Sequence, residues 1–369
     1  MTEGLTNSRG TPAARQRTLG PNLLLAAAAS VFAFGLIEVG FRILDPFPFF
    51  APWEVTRQTG LSHYDPELGW RGNPGARKEV VTRNGRALIQ LNSQGLRDIE
   101  HKATPPFKDA VVFLGDSFTW GWEVESDAVF VNRLRPDLAD YEVFNLAEVG
   151  YGTDQSLLAF RAWRYGGRLR LVILMFCEND LADNNANLRY DLGKPKFEIA
   201  GDDLVLTNVP VPRVSRWDAR PESPEPHPGE WLFAWLLHSH AIHDLWFRLN
   251  QARQPAPALG RNTEPIQLTW RLLQALREDV EKRGGALLVV AIPAKEQFMR
   301  GRSPVPYQRR IANNCAALGI AYFDLAEAFT ATHLRTYVRM GEHWNAHGHA
   351  VAAAALRDHL RTRTDLALR

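Results

Sequence analysis

The stretch VVFLGDSFTWGW, residues 111–122, holds the feature that decides the fold. Four apolar residues end at Gly115-Asp116-Ser117, which indicates a buried strand followed by a turn into a helix. In a doubly wound sheet, the loops after the carboxyl ends of the strands line the ligand crevice, so Ser117 would face that crevice. By itself Gly-Asp-Ser is more often a plain turn. Whether Ser117 is a nucleophile depends on the rest of the chain.

The strand before Ser117 is one of five continuous apolar runs. They are AVVFL (110–114), EVFNL (142–146), RLVILMF (170–176), ALLVVAI (286–292) and IAYFDL (320–325). Such runs suit a parallel sheet that is covered on both faces. Helix candidates lie between and after them, one capped by Thr153 and another by Asn345. This alternation predicts a doubly wound α/β domain over residues 109–369.

A segment at about 181–262 interrupts the alternation. It is rich in Asn, Asp and Pro, and it ends in the amphipathic aromatic stretch WLFAWLLHSHAIHDLWFRL, residues 231–249. Because the segment follows the third strand, we predict an insertion that covers the ligand crevice. Two alternatives stay open for the aromatic stretch: a helix packed on the side of the domain, and a helix lying along a membrane surface.

The composition excludes several classes of protein. With 369 residues, a formal net charge of +2 and 45% hydrophobic residues, the chain is an ordinary globular protein. It has no basic stripe, zinc-ligand spacing or RNP-like aromatic run, so we expect no nucleic-acid partner. Its two cysteines, Cys177 and Cys315, are too few for a disulfide framework.

The N-terminus predicts a membrane anchor. Residues 1–20 are polar and carry three arginines against one glutamate, and residues 21–44 are almost entirely apolar. The apolar run is close to the length that a bilayer core needs. The basic flank predicts a cytoplasmic tail, with the bulk of the chain on the periplasmic side of the inner membrane. A cleaved signal peptide and a buried core helix are the alternatives.

Residues 45–108 are predicted to connect the anchor to the α/β domain. The part from 46 to 75 is rich in aromatic, proline and glycine residues and reads as an irregular juxtamembrane path. After it, Asn84-Gly85 lies between alternating apolar residues, which is a strong signal for a β-hairpin with a type I′ turn.

Three further motifs lie at or just beyond the predicted strand ends. Gly150 follows the second strand, where a glycine lets a backbone N–H approach a substrate oxygen closely. Asn179 follows the third strand, and its amide could donate to an oxyanion. His343 lies just before the last helix, and an imidazole is what a serine hydroxyl needs to become a nucleophile. Each motif alone is an ordinary turn, loop or cap.

Together, in this order, the four motifs resemble those of the SGNH, or GDSL-type, hydrolases and their acyltransferase relatives. The LGWRGNPG and LNSQGLRD segments upstream are similar to a membrane-anchored bacterial branch associated with polysaccharide O-acyl esterases and acyltransferases. The resemblance implies a flavodoxin-like three-layer α/β/α sandwich with a five-stranded parallel sheet. It also implies Ser117 as nucleophile and His343 as base, with an oxyanion hole from the Ser117 N–H, the Gly150 N–H and the Asn179 side chain. It implies no cofactor.

The chain departs from the family pattern in two places. Cys177 stands where the third block usually begins with glycine. The family's aspartate two or three residues before the histidine is replaced by Gly341 and Met340. Glu342, Asp324, or a backbone carbonyl in a Ser–His dyad are the candidates left to orient the ring.

The resemblance, together with the predicted topology, implies a serine esterase or O-acyltransferase that acts on acyl esters of an exported glycan, with O-acetyl as the expected group. The alternative is a non-catalytic glycan-binding or scaffold protein of the cell envelope, which the missing acid before His343 motivates. No GxGxxG or Walker pattern follows the first strand, so a nucleotide-binding protein is disfavoured. His343, His347 and His349 lack a matching cluster of further ligands, so we expect no metal site.

Overall fold

The structure, a computed structural model, describes most of the chain. The described residues are 19–44, 60–82, 84–102, 104–190, 192–201, 203–213, 264–298, 306–338 and 341–363. The chain forms two compact units; one contains the first helix and the other contains every other described residue.

The first helix, α1 (Leu19–Leu44), is apolar along most of its length. Among the described residues, its segment Gly20–Gly40 is the one stretch long and apolar enough to cross a membrane, and its side chains are not buried. A signal sequence has the same length and composition. The helix is therefore weak evidence for the anchor predicted at 21–44.

The other unit begins with two antiparallel hairpins. They pair β1 (Ser62–Asp65) with β2 (Gly69–Gly72) and β3 (Arg77–Thr82) with β4 (Gly85–Gln90). The prediction of an irregular path over 46–75 is therefore wrong for the first hairpin. Its turn depends on Asp65, whose carboxylate accepts the backbone N–H groups of Glu67 and Leu68, and on Gly69, which has a φ of +86°. The four-residue strands show too little apolar alternation to be read from sequence.

The second hairpin was predicted, and it is confirmed with its turn moved by one residue. Thr82 pairs with Gly85, so Gly85 is the first residue of β4 and does not lie in the turn as predicted. The Thr82 hydroxyl accepts the Asn84 N–H at 3.2 Å, which closes the loop. The Asn84 side chain is left pointing out of the turn toward another part of the fold.

The remaining strands in chain order are β5 (Asp109–Leu114), β6 (Tyr141–Asn145), β7 (Leu169–Phe176), β8 (Leu188–Arg189), β9 (Leu192–Gly193), β10 (Lys196–Ala200), β11 (Asp203–Thr207), β12 (Ala286–Ala291) and β13 (Ala321–Asp324). In the described part of the chain, five of them form one parallel sheet in the order β6-β5-β7-β12-β13. This is the 2-1-3-4-5 order of flavodoxin-like folds. The five predicted strands are confirmed within a residue at either end.

Among the described residues, the α-helices after α1 are α2 (Ser117–Trp120), α3 (Phe130–Leu134), α4 (Thr153–Ala162), α5 (Asp180–Asp183), α6 (Glu264–Lys282), α7 (Pro306–Ala317), α8 (Ala326–Thr330) and α9 (Ala346–Thr362). The cap predicted at Asn345 is confirmed, because its side chain accepts the N–H groups of His347 and Gly348. The cap predicted at Thr153 is wrong: Gly152 precedes α4, and the Thr153 hydroxyl donates to Asp180 at 2.9 Å.

Alternate residues of each sheet strand enter two separate cores. Val111 and Phe113 of β5 pack on one face with residues of α3 and α9, whereas Val112 and Leu114 pack on the other with residues of α4, α6 and α7. The predicted three-layer α/β/α sandwich with a five-stranded parallel sheet is confirmed. The ligand edge of that sheet is where β5 ends at Leu114.

The segment between β7 and β12 is longer than any other connection. Its described part holds α5 and the small hairpins β8–β9 and β10–β11. Lys194 forms a fully buried ion pair with Asp154 of α4, which fixes this segment to the sandwich. The aromatic stretch 231–249 lies outside the described residues, so its predicted position is untested.

Candidate active site

Ser117 is the first residue of the short helix α2, directly after the β5 strand. Gly115 has a φ of +149°, and a Cβ there would lie 3.0 Å from the Met175 carbonyl oxygen, so only glycine fits. The Asp116 carboxylate caps α2 by accepting the Phe118 N–H at 3.0 Å. The sharp turn presents the Ser117 hydroxyl at the end of the sheet.

His343 contacts that hydroxyl. The Ser117 Oγ and the His343 Nε2 lie 2.7 Å apart, although 226 residues separate them in sequence. A loop closed by an antiparallel bridge between Tyr337 and Trp344 holds His343, and its carbonyl accepts the Val338 N–H at 2.9 Å. The ring of Phe118 packs against the imidazole with ring centres 5.2 Å apart.

Burial lowers the pKa of His343 to about 4. The imidazole is therefore neutral at neutral pH, and a neutral ring can accept a proton. The pair can thus do what nucleophilic catalysis requires, which is to take the hydroxyl proton as the oxygen attacks.

The other ring nitrogen of His343 faces a carboxylate that sequence reasoning missed. The Nδ1 atom lies 3.8 Å from Oε2 of Glu123, whose side chain is 8% exposed. Glu123 lies six residues after Ser117, at the end of an aromatic run, and an acid in such an apolar setting close to a nucleophile was the available signal. Burial raises its pKa, while hydrogen bonds from Asn84 and Thr82 act in the opposite direction.

The two candidate acids from the sequence do not form this contact. Glu342 is exposed. Asp324 accepts hydrogen bonds from the Gln308 amide at 2.9 Å and the Ala326 N–H at 2.9 Å. Among the described residues, the carboxylate that lies within 4 Å of a His343 ring nitrogen is that of Glu123 and of neither of these two.

Gly150 lies in a loop that packs against the end of β5. The neighbouring Glu148 N–H donates to the Gly115 carbonyl at 3.3 Å. Gly150 has a φ of +78°, and a Cβ there would lie 2.5 Å from the Tyr190 ring. Glycine is therefore required by both the backbone conformation and the space left by Tyr190, which lies between β8 and β9.

Asn179 lies at the start of α5, with its side chain held by an acid. Its Nδ2 donates to Asp183 Oδ2 at 2.8 Å, and Asp183 Oδ1 pairs with Arg189 at 2.9 Å. An amide has two hydrogens, so this contact orients the group and leaves a second donor. The oxyanion-hole roles of the Ser117 N–H, Gly150 and Asn179 stay predictions.

Buried acids surround the site on one side. Burial raises the pKa of Asp116 to about 7 and that of Asp180 well above its usual range. Cys177, which stands in place of the family's glycine, donates its N–H to Asp180 at 2.9 Å. Burial raises the pKa of the Cys177 thiol, so Cys177 is not a competing nucleophile.

Among the described residues, no group of three or more His, Cys, Asp or Glu side chains could hold a metal ion.

The comparisons with known proteins give one match to a family and several to folds. A family model described as an SGNH hydrolase-like domain, acetyltransferase AlgX, matches residues 243–368, a range that includes His343 but not Ser117. No curated protein matches the chain. The family match confirms the predicted resemblance to the SGNH superfamily, and with it an esterase or acyltransferase.

Solved structures of GDSL-type proteins are similar in topology. A lipolytic protein of the G-D-S-L family from Veillonella parvula is 14% identical, covers 68% of this chain and 96% of its own, and gives a TM-score of 0.39. A lipase/acylhydrolase from Enterococcus faecalis is 13% identical, covers 69% of this chain and 96% of its own, and gives 0.40.

Proposed function

The chain carries an SGNH hydrolase-like domain of the esterase and acyltransferase type, and from this premise we propose that Ser117 and His343 transfer an acyl group from a carboxylic ester through an acyl-enzyme. The observation that carries the proposal is the 2.7 Å contact between Ser117 Oγ and His343 Nε2. This is hydrogen-bond distance, and it joins a nucleophile to a neutral base at the ligand edge of the sheet.

The proposed reaction has two halves. In the first, the Ser117 proton moves to His343 Nε2 while Oγ bonds to the ester carbonyl carbon, and the carbonyl π pair moves onto its oxygen. The Ser117 N–H, the Gly150 N–H and the Asn179 amide would stabilise that oxyanion. When the carbonyl re-forms, the bond to the alcohol oxygen breaks, and the leaving alkoxide takes the proton from His343.

The second half regenerates the serine. A water molecule or a sugar hydroxyl gives its proton to His343 Nε2 and bonds to the acyl carbon. The bond to Ser117 Oγ then breaks, and Oγ recovers the proton. Water gives a hydrolase and a sugar hydroxyl gives a transferase, with the same residues in the same roles.

We propose O-acetyl esters of an exported glycan as the substrate class. Two features support this: the family model that matches residues 243–368 describes an acetyltransferase, and α1 is long and apolar enough to anchor the domain. With the basic N-terminal flank in the cytoplasm, the domain would lie on the periplasmic side of the inner membrane.

Labelling with a fluorophosphonate probe tests the proposed nucleophile. In the detergent-solubilised full chain we expect covalent labelling of the wild type, none in Ser117→Ala, and strongly slowed labelling in His343→Ala. Hydrolysis of 4-nitrophenyl acetate should follow the same order. Equal labelling of all three proteins would overturn the proposal and favour the non-catalytic scaffold.

The substrate class needs its own measurement. Acetate release from an O-acetylated polysaccharide, with the deacetylated polymer as control, should depend on Ser117. Transfer is measured by supplying an acetyl donor with the deacetylated polymer and following polymer-bound acetate. Turnover of 4-nitrophenyl acetate without action on either polymer would leave the serine mechanism standing and reject the glycan.

A further inference from the structure

We infer that Glu123 is the positioning residue for His343, so that the site is a triad of Ser117, His343 and Glu123. The acid would come from the loop directly after the nucleophile's helix instead of from the position before the histidine. This inference rests on the proposed function, because orienting the imidazole matters only if His343 acts as the base.

The position of the carboxylate is the first observation. Oε2 of Glu123 lies 3.8 Å from Nδ1 of His343, while Nε2 on the opposite side of the ring contacts Ser117. The distance is too long for a hydrogen bond, but it is short enough for an ion pair once the ring is protonated. Catalytic hydrogen bonds are often long in unliganded sites and tighten when the imidazolium forms.

The β3–β4 hairpin holds the carboxylate in that direction. The Asn84 side chain donates to Glu123 Oε1 at 2.8 Å, which leaves Oε2 facing the imidazole. The Thr82 side chain forms a second hydrogen bond to the same carboxylate. A buried carboxylate that accepts a hydrogen bond on one oxygen and faces a histidine with the other is suited to fix a tautomer.

One lysine connects the acid to the loop that carries the base. The ammonium group of Lys295 lies close enough to Glu123 to favour its ionised form. The same group donates to the carbonyls of Val338 at 2.7 Å and Gly341 at 2.8 Å. It therefore fixes the backbone just before His343 and keeps a positive charge beside the acid.

The backbone at Glu123 is held in an uncommon conformation. Its φ is +67°, in the left-handed region that favours glycine. The buried guanidinium of Arg97 donates to the carbonyls of Trp120, Gly121 and Val124, on both sides of Glu123. Backbone strain that the surroundings impose in this way is concentrated at functional sites.

These contacts give a role to the segment before the sandwich. Arg97 belongs to the LNSQGLRD stretch and Asn84 to the turn of the second hairpin, and both act on the loop that carries Glu123. The missing acid before His343 is thereby accounted for by a different element. Triads with the same geometry and different chain order are known among serine hydrolases.

The first test is kinetic and uses the full chain in detergent with 4-nitrophenyl acetate. Glu123→Gln keeps the shape and removes the charge, and we expect kcat to fall by about 10²- to 10⁴-fold with little change in KM. Glu125→Gln is the matched control: it is the same change two residues away, in a carboxylate that accepts the Leu88 N–H at 2.9 Å instead of facing His343. It should keep the wild-type rate.

The pH profile separates positioning from general damage. A carboxylate beside Nδ1 favours the imidazolium, so in Glu123→Gln the acidic limb of kcat/KM should move to lower pH. Lys295 acts on Glu123, Glu342 is the sequence neighbour of His343, and His349 interacts electrostatically with His343; all three are unchanged in this variant. A protein that is only destabilised would lose activity, but the acidic limb of its kcat/KM profile would stay at the wild-type pH.

A second measurement does not depend on turnover. Nitrogen NMR of the imidazole, with His343→Gln to assign the signal, reports which ring nitrogen carries the proton. We expect Nδ1–H in the wild type and loss of that single tautomer in Glu123→Gln. A wild-type ring protonated on Nε2, or a signal unchanged in Glu123→Gln, overturns the inference whether or not the protein is an enzyme.

The two proposals can fail separately. If Ser117→Ala abolishes turnover while Glu123→Gln keeps the wild-type kcat and pH profile, the inference is wrong and the proposed function stands. If turnover does not depend on Ser117, the proposed function is wrong, and the NMR result alone decides whether Glu123 fixes the ring.

Discussion

At the level of single residues, Asn179 is the member of the site whose contacts predict a measurable effect on catalysis. One of its amide hydrogens is bound by Asp183 at 2.8 Å, so the amide is oriented before substrate arrives. If the other hydrogen binds the oxyanion, Asn179→Ala removes an interaction made mainly in the transition state. We expect kcat to fall by about 10²- to 10³-fold with KM nearly unchanged.

The control for this change is Asn185→Ala, in the same segment. The Asn185 amide donates to the Leu181 carbonyl at 3.0 Å, so its loss should leave kcat within a few-fold of wild type. Steady-state kinetics on 4-nitrophenyl acetate measures both variants. An Asn179→Ala protein with raised KM and unchanged kcat would show that the amide binds substrate without stabilising the oxyanion.

How far the site could be predicted differs from residue to residue. Ser117 and His343 were predicted because each follows a recognisable pattern, and their contact is what the topology of a parallel sheet delivers. Glu123 could not be predicted in the same way. Its direction depends on a φ of +67° and on donors from Asn84 and Arg97, and none of these is visible as a spacing in the sequence.

Among the secondary-structure elements, the junction before α9 combines two roles in Asn345. Its side-chain oxygen caps the helix, while its amide donates to the carbonyls of Arg335 at 2.8 Å and Tyr337 at 2.9 Å. The second role closes the loop that carries His343. Asn345→Ala removes both, and we expect the free energy of unfolding to fall by about 1–3 kcal/mol and kcat to fall with it.

Asn345→Asp separates the two roles. An aspartate keeps the cap but places a carboxylate against two carbonyl oxygens, so stability should recover more than kcat does. Urea titration measures the stability and turnover measures kcat, both on the detergent-solubilised chain. His347 is exposed in the same helix, so His347→Ala is the control. If the urea titration of Asn345→Ala has the same midpoint as that of the wild type, neither role contributes to stability.

The elements that could be predicted are those whose signal lies within a short stretch of sequence. The β5 and β7 strands are continuous apolar runs, and α9 has a side-chain cap, so their bounds follow from burial and hydrogen bonding of nearby residues. The β1 and β2 strands have four residues each and are stabilised by an aspartate turn and by packing on distant residues. That information lies outside any short window of sequence.

At the level of the whole α/β unit, the N-terminal hairpins and the sandwich share a buried carboxyl. The Glu148 side chain accepts the backbone N–H groups of Val149 and Gly72, so it joins the loop of Gly150 to the end of β2. Burial raises its pKa to about 8 from an ordinary value of 4.5. The group is therefore protonated in the folded unit at neutral pH and ionised in the unfolded chain.

The sign of the resulting pH dependence follows from proton uptake on folding. Between pH 4.5 and about 8 the folded state binds a proton at Glu148 that the unfolded state does not, so the free energy of unfolding falls as pH rises through this window. One such proton corresponds to about 1.4 kcal/mol per pH unit. Asp116, with a pKa raised to about 7, contributes with the same sign.

Glu148→Gln isolates the contribution of this one group. The amide resembles the protonated acid and keeps the acceptor oxygen for both N–H groups, so the variant should lose the Glu148 part of the slope and retain the Asp116 part. Urea titrations at about pH 6 and pH 7 should show the wild type losing about 1.4 kcal/mol more than Glu148→Gln over that unit. Glu79→Gln, whose side chain is 54% exposed, is the control and should follow the wild type. Parallel slopes for wild type and Glu148→Gln would mean that Glu148 is ionised in the folded unit, and that the contact between the hairpins and the Gly150 loop includes a charge.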